Sequence, residues 1–68
     1  MEQWQKVFSS TDFFQAEFLK QLLLANDIEA VLLNKKDSSY QFGEAQVLVA
    51  ESDRERAEAL ILQNKINT

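Results

Sequence analysis

Residues 46–55 read QVLVAESDRE, and this run leads from a strand almost directly into a helix. Gln46 to Ala50 has the strongest β-propensity of the chain, because branched apolar side chains dominate it. Ser52 and Glu55 then have the S-x-x-E spacing of a capping box, in which each side chain satisfies a backbone amide at the helix start. The run therefore predicts a strand that ends at Ala50 and a helix that begins at Ser52. The residues predicted to face inward from this helix are Ala57, Leu60, Ile61 and Asn64.

Two further strands are predicted upstream of this run. Trp4 to Ser9 is aromatic and β-branched, and residues 28–34 read IEAVLLN, with an apolar centre. The chain then becomes polar, but Tyr40 and Phe42 keep the alternation of a strand. We therefore interpret residues 35–44 as a long hairpin rather than a free loop.

A helix is predicted between the first two strands, over residues 13–25. Ser9 and Asp12 stand three residues apart, so a hydroxyl and a carboxylate both serve the free amides of its first turn. The helix is predicted to end at Asn26-Asp27, since Asn and Asp are the non-glycine residues that best tolerate a left-handed cap. Its predicted inward stripe is Ala16, Leu19 and Leu23, widened by Leu22, Phe18 and Phe14.

The element order β-α-β-β-α predicts an α+β fold, a ferredoxin-like two-layer sandwich that forms one domain over residues 1–68. A right-handed crossover makes the first two strands parallel, and the third strand fits between them, antiparallel to both. The result is a three-stranded, antiparallel-type sheet with both helices on one face. The fourth strand of the ferredoxin-like pattern is missing, so the outer edge of the first strand is predicted to be open.

Surplus apolar side chains predict that the chain self-associates. A strand with one solvated face should alternate cleanly between apolar and polar residues, but all three strands carry apolar residues of both parities. Whichever face meets the helices, the other face keeps exposed apolar side chains and the edge of the first strand stays unpaired. Both surfaces are therefore candidate sites for contact with another chain. We therefore predict a homodimer or another homo-oligomer. Its predicted interface residues are Trp4, Val7, Phe8, Val31, Leu33 and Leu48.

Size and charge restrict the class of partner. A chain of 68 residues and 7.9 kDa has a small core, which oligomerisation often supplements. Its net charge of -4 disfavours nucleic acid and anionic membranes as partners. No apolar run approaches the roughly 20 residues of a membrane span, and the first residues lack the features of a signal peptide. Without cysteine nothing points to an oxidising compartment, so the predicted location is the cytoplasm.

Side chains that most enzymes use for catalysis are missing from the sequence. It contains no His and no Cys, and therefore no imidazole base, no Ser-His or Cys-His pair and no common zinc site. A single glycine excludes phosphate-binding and dinucleotide-binding loops. We accordingly predict that the protein is not an enzyme and has no catalytic residue, cofactor or metal. The carboxylates assigned to helix starts and solvated faces are Asp12, Asp53, Glu55 and Glu58.

Two groups of residues leave a binding role open. The first combines two cations with hydroxyls and aromatic rings, as a small anion contact does, although a solvated hairpin turn is the favoured explanation. It comprises Lys35, Lys36, Ser38, Ser39, Tyr40 and Phe42. The second is a set of aromatic residues that would suit a hydrophobic ligand pocket, for which core and dimer packing is the favoured explanation. It comprises Trp4, Phe8, Phe13, Phe14 and Phe18.

Over nearly its whole length the chain resembles a family of small bacterial domains, the putative prokaryotic signal-transducing proteins. The segments that carry the resemblance are WQKVF (4–8), QAEFLK (15–20) with the leucines at 22 and 23, NDIEA (26–30), VLVAESD (47–53) and RAEAL (56–60). Asp27 stands where the family commonly has glycine, which affects only the geometry of the helix cap.

The resemblance implies a ferredoxin-like sandwich similar to the PII-like nitrogen regulators, whose trimers bind nucleotides and small effectors between subunits. The partner-contacting loop of those proteins maps loosely onto residues 35–44, and their phosphate-binding residues have no counterpart here. Nucleotide binding is therefore not implied. The prediction is a non-enzymatic regulatory or protein-interaction module that acts as an oligomer. The alternative is a sensor that binds a small effector at a subunit interface.

Overall fold

The computed structural model describes residues 3–36 and 43–64, and within these ranges the element order is β-α-β-β-α, as predicted. The bounds are β1 Trp4–Ser10, α1 Phe13–Ala25, β2 Ala30–Lys36, β3 Gly43–Ala50 and α2 Arg54–Gln63, with a 3-10 turn at Glu51–Asp53 before α2. The bounds of β1 and α1 agree with the prediction to within one residue. β2 begins two residues later than predicted, because Ile28 enters the core before strand pairing starts.

The sheet has the strand order β1-β3-β2, and β3 pairs antiparallel with both neighbours, as predicted. Val49 of the central strand β3 lies between Gln5 of β1 and Ala30 of β2. In β1 the register shifts between Lys6 and Phe8, so one residue of that strand is left over as a β-bulge. The bulge reverses the face to which the second half of β1 directs its side chains.

Both helices cover the same face of the sheet, because their buried residues share one core with the inward residues of the strands. Ala16, Leu19 and Leu23 of α1 are fully buried, which confirms the centre of its predicted stripe. Ala57 of α2 is also fully buried. The strand residues in this core are Phe8, Ala30, Ala45, Val47 and Val49.

The prediction that Phe14 and Phe18 widen the inward stripe of α1 is wrong. Phe14 is 81% exposed and Phe18 is 58% exposed, whereas Leu22 packs partly against the core. At 3.6 residues per turn, Phe14 lies on the side of α1 opposite the buried stripe of Ala16, Leu19 and Leu23, and Phe18 lies between that side and the stripe. The narrow three-stranded sheet is already covered by the central stripe, so these two rings remain in solvent.

A short polar network fixes the start of α1. Asp12 is the N-cap, and its Oδ1 accepts hydrogen bonds from the backbone N–H of Phe14 at 3.0 Å and of Gln15 at 3.4 Å. Ser10, rather than the predicted Ser9, supports this cap, because its Oγ accepts from the Asp12 N–H at 2.9 Å. The same Ser10 hydroxyl donates to Gln15 Oε1 at 3.1 Å, so β1 and α1 are joined by side chains at the turn.

α2 begins at Arg54, two residues after the predicted position. Ser52 lies within the preceding 3-10 turn, and Asp53 occupies the N-cap position without a side-chain cap hydrogen bond. Its carboxylate instead pairs with Arg56 at 3.2 Å. At the other end, Asn64 was predicted to face inward but is exposed, because its Nδ2 donates to the Leu60 carbonyl at 2.9 Å. Leu60 and Ile61 pack against the core as predicted.

Candidate interaction surface

The sheet has a second face, which the described helices do not cover. Strand residues alternate between its two faces, and the register identifies which side chains share the face opposite Val47 and Val49. We call this surface the open face. It comprises Trp4, Lys6, Ser9, Val31, Leu33, Glu44, Gln46 and Leu48.

The apolar part of the open face crosses all three strands. Trp4 is 44% exposed, Val31 37% and Leu33 44%, and Leu48 between them is half-buried. Val31 and Leu48 are direct partners in the register, so their side chains adjoin across the strands. The sequence predicted these four residues as an interface, and the structure brings them together on one surface.

The other two predicted interface residues do not belong to this surface. Phe8 is only 2% exposed and lies in the core beneath the helices, and Val7 packs against that core. Regular alternation from Trp4 would direct Phe8 to the open face, but the bulge at Val7 turns it inward. The side chain of Phe8 is therefore not available to a partner on the open face.

Polar residues on the open face were missed by the sequence analysis. Lys6 lies beside Leu48 in the register, and Gln46 Nε2 donates to Glu44 Oε2 at 3.4 Å. Lys6 is two residues from Trp4, and Gln46 and Glu44 are two and four residues from Leu48. Because side chains two residues apart in a strand share a face, this spacing could have indicated that the polar residues lie on the same face. Lys6 and Glu44 carry opposite charges on this face, and the register pairs Glu44 with Lys35 of β2.

The outer edge of β1 has no strand beside it within residues 3–36 and 43–64. Edge strands of this kind are protected from pairing when they contain a bulge or a lysine. β1 has both, since its register shifts at Val7 and Lys6 is exposed. This edge is consequently a poorer surface for a partner strand than its open position suggested.

The aromatic residues proposed as an alternative ligand pocket are separated by the fold. Trp4 lies on the open face, Phe8 lies in the core, and the other three belong to α1 on the opposite side of the sheet. Phe13 and Phe14 contact each other edge to face, with ring centroids 6.2 Å apart. The structure does not bring this set together into one cavity.

Several carboxylates have the structural contacts that the sequence analysis assigned to them. Glu58 accepts from Arg54 at 3.2 Å, in the predicted i,i+4 pair. A further carboxylate, Glu17, accepts from Gln21 Nε2 at 2.9 Å and lies 3.6 Å from Lys20 Nζ. The hydrogen bond from Gln21, with a smaller contribution from the Lys20 charge, lowers the pKa of Glu17. Among the described residues no three His, Cys, Asp or Glu side chains are grouped as a metal site would need.

The lysine-rich segment is only partly described. Lys35 and Lys36 belong to β2, where the register pairs them with Glu44 and Gly43, so the ladder extends into the predicted hairpin. The other residues predicted to form a partner or effector contact lie outside the described residues. They are Ser38, Ser39, Tyr40 and Phe42.

A shallow depression of about 350 Å³ lies at the end of β1, lined by Ser9, Ser10, Thr11 and Glu44. It is open to solvent, and the polar groups in its lining residues are three hydroxyls and the Glu44 carboxylate. That carboxylate disfavours an anionic effector at this position. These four residues come from two distant segments, which the register of β1 and β3 brings together, so no local sequence pattern indicates the group.

A family model described as putative prokaryotic signal transducing protein matches residues 4–65. The match covers most of the chain and includes every described strand and helix. No curated protein and no solved structure is found to match. No helix within the described ranges is long and apolar enough to cross a membrane.

Proposed function

This chain belongs to the family of putative prokaryotic signal transducing proteins, and we propose that it is a non-enzymatic protein-interaction module whose working surface is the open face of its sheet. The family description supports a role in signal transduction. A protein with such a role must contact another macromolecule or a small effector. The open face is the surface of the described residues best suited to a protein contact.

The observation that carries this proposal is the exposure of Trp4, Val31 and Leu33 on one sheet face, around the half-buried Leu48. Scattered apolar residues on a surface need no explanation, but a contiguous patch with a polar border is typical of a protein interface. Tryptophan is also among the residues that contribute most binding energy at interfaces. Lys6, Gln46 and Glu44 supply the polar border.

The proposal includes the absence of enzymatic activity. It is supported by the sequence, which lacks histidine and cysteine, and by the roles of the carboxylates in helix caps and ion pairs. We further propose that the architecture is ferredoxin-like and that the module acts as an oligomer. The element order and the strand order β1-β3-β2 support the architecture.

The alternative, a sensor for a small effector, remains tied to the segment around Lys35 and Lys36. No observation on the described residues favours it. A protein contact through the open face is therefore the function that we propose first.

Photo-crosslinking in cells that naturally make the protein tests this proposal. A photoreactive phenylalanine analogue at Leu33 places the probe on the open face, and the same analogue at the exposed Gln21 of α1 provides the matched control. We expect a crosslinked protein from position 33 and none from position 21. No crosslink from position 33, or equal crosslinking from both positions, would contradict the proposal.

A further inference from the structure

We draw no further inference here: the strongest candidate, the exposed apolar patch of α1 around Phe14 and Phe18, carries no proposal, because nothing in the part of the chain that the structure describes shows what covers it.

Discussion

Ile28 donates its backbone N–H to the carbonyl oxygen of Leu23 at 2.9 Å, and the side chains of both residues are fully buried. Asp27 between them has a φ of 64° and donates to the Leu24 carbonyl at 3.1 Å. These two hydrogen bonds form a Schellman motif, with the usual apolar contact between its ends. The motif fixes where the chain leaves α1 and enters the core. It thereby sets the alternation of β2, which directs Val31 and Leu33 to the open face.

Replacing Asp27 with glycine should stabilise the protein. Asp27 has left-handed backbone, which glycine adopts without the steric cost of a Cβ atom. We expect Asp27→Gly to raise the free energy of unfolding by about 0.5–1 kcal/mol, after allowance for the greater freedom of glycine in the unfolded chain. Chemical denaturation would measure the change. Asp27→Val should have the opposite effect, and a stabilising Asp27→Val would contradict this account of the cap.

Removing the N-cap of α1 should destabilise the protein. Asp12→Ala eliminates the acceptor for the backbone amides of Phe14 and Gln15, and such a loss typically costs about 1 kcal/mol. The neighbouring exposed residue offers a control, and Thr11→Ala should change the free energy of unfolding by less than about 0.5 kcal/mol. Equal effects of the two substitutions would show that the cap has no special role.

The two sides of α1 should differ sharply in their tolerance of truncation. Leu19 is fully buried, so Leu19→Ala should cost about 2–5 kcal/mol by leaving a cavity. Phe14 is 81% exposed, and Phe14→Ala should change the free energy of unfolding by less than about 0.5 kcal/mol. Thermal unfolding of both variants checks the difference. A large loss in Phe14→Ala would mean that the ring packs where the structure leaves it exposed.

The lowered pKa of Glu17 should depend on Gln21. The Gln21 side chain hydrogen-bonds the ionised carboxylate at 2.9 Å, so Gln21→Ala should raise the pKa of Glu17 toward its ordinary value of 4.5. An NMR titration of the Glu17 carboxyl measures this, with Gln63→Ala as a control on α2. A pKa lowered by folding contributes stability that is present above the ordinary pKa. That contribution is lost as the pH falls through the lowered value. An unchanged pKa in Gln21→Ala would refute the assignment.

The predictions from sequence are confirmed where they rest on the periodicity of apolar residues, on helix caps and on the order of the elements. The centre of the α1 stripe and the end of α1 at Asn26-Asp27 follow from residue types at fixed spacing. The pairing of β3 with both neighbours follows from the element order and the right-handed crossover. The apolar residues of both parities in β2 correctly indicated an exposed patch, because Val31 and Leu33 must face away from Ala30 and Leu32.

The predictions from sequence were wrong where tertiary contacts determine whether a side chain is buried or exposed. Phe8 shares its parity with Trp4 in the sequence, and only the register against β3 reveals the bulge that separates their faces. Phe14 and Phe18 were placed beside the core because α1 is apolar on most of its circumference. The fraction of the α1 surface that the sheet can bury depends on the number of strands in the sheet. The position of Lys6 and Glu44 on either side of Gln46 likewise needs the register of all three strands.

The most direct measurement of the central claim is a filtered NOE spectrum of an equal mixture of isotope-labelled and unlabelled chains. It detects contacts between copies and no others. Because we propose that the module acts as an oligomer through its open face, we expect intermolecular NOEs from the methyl groups of Val31, Leu33 and Leu48. Intermolecular NOEs that arise instead from Phe14 and Phe18 on α1, or none at millimolar concentration, would contradict it.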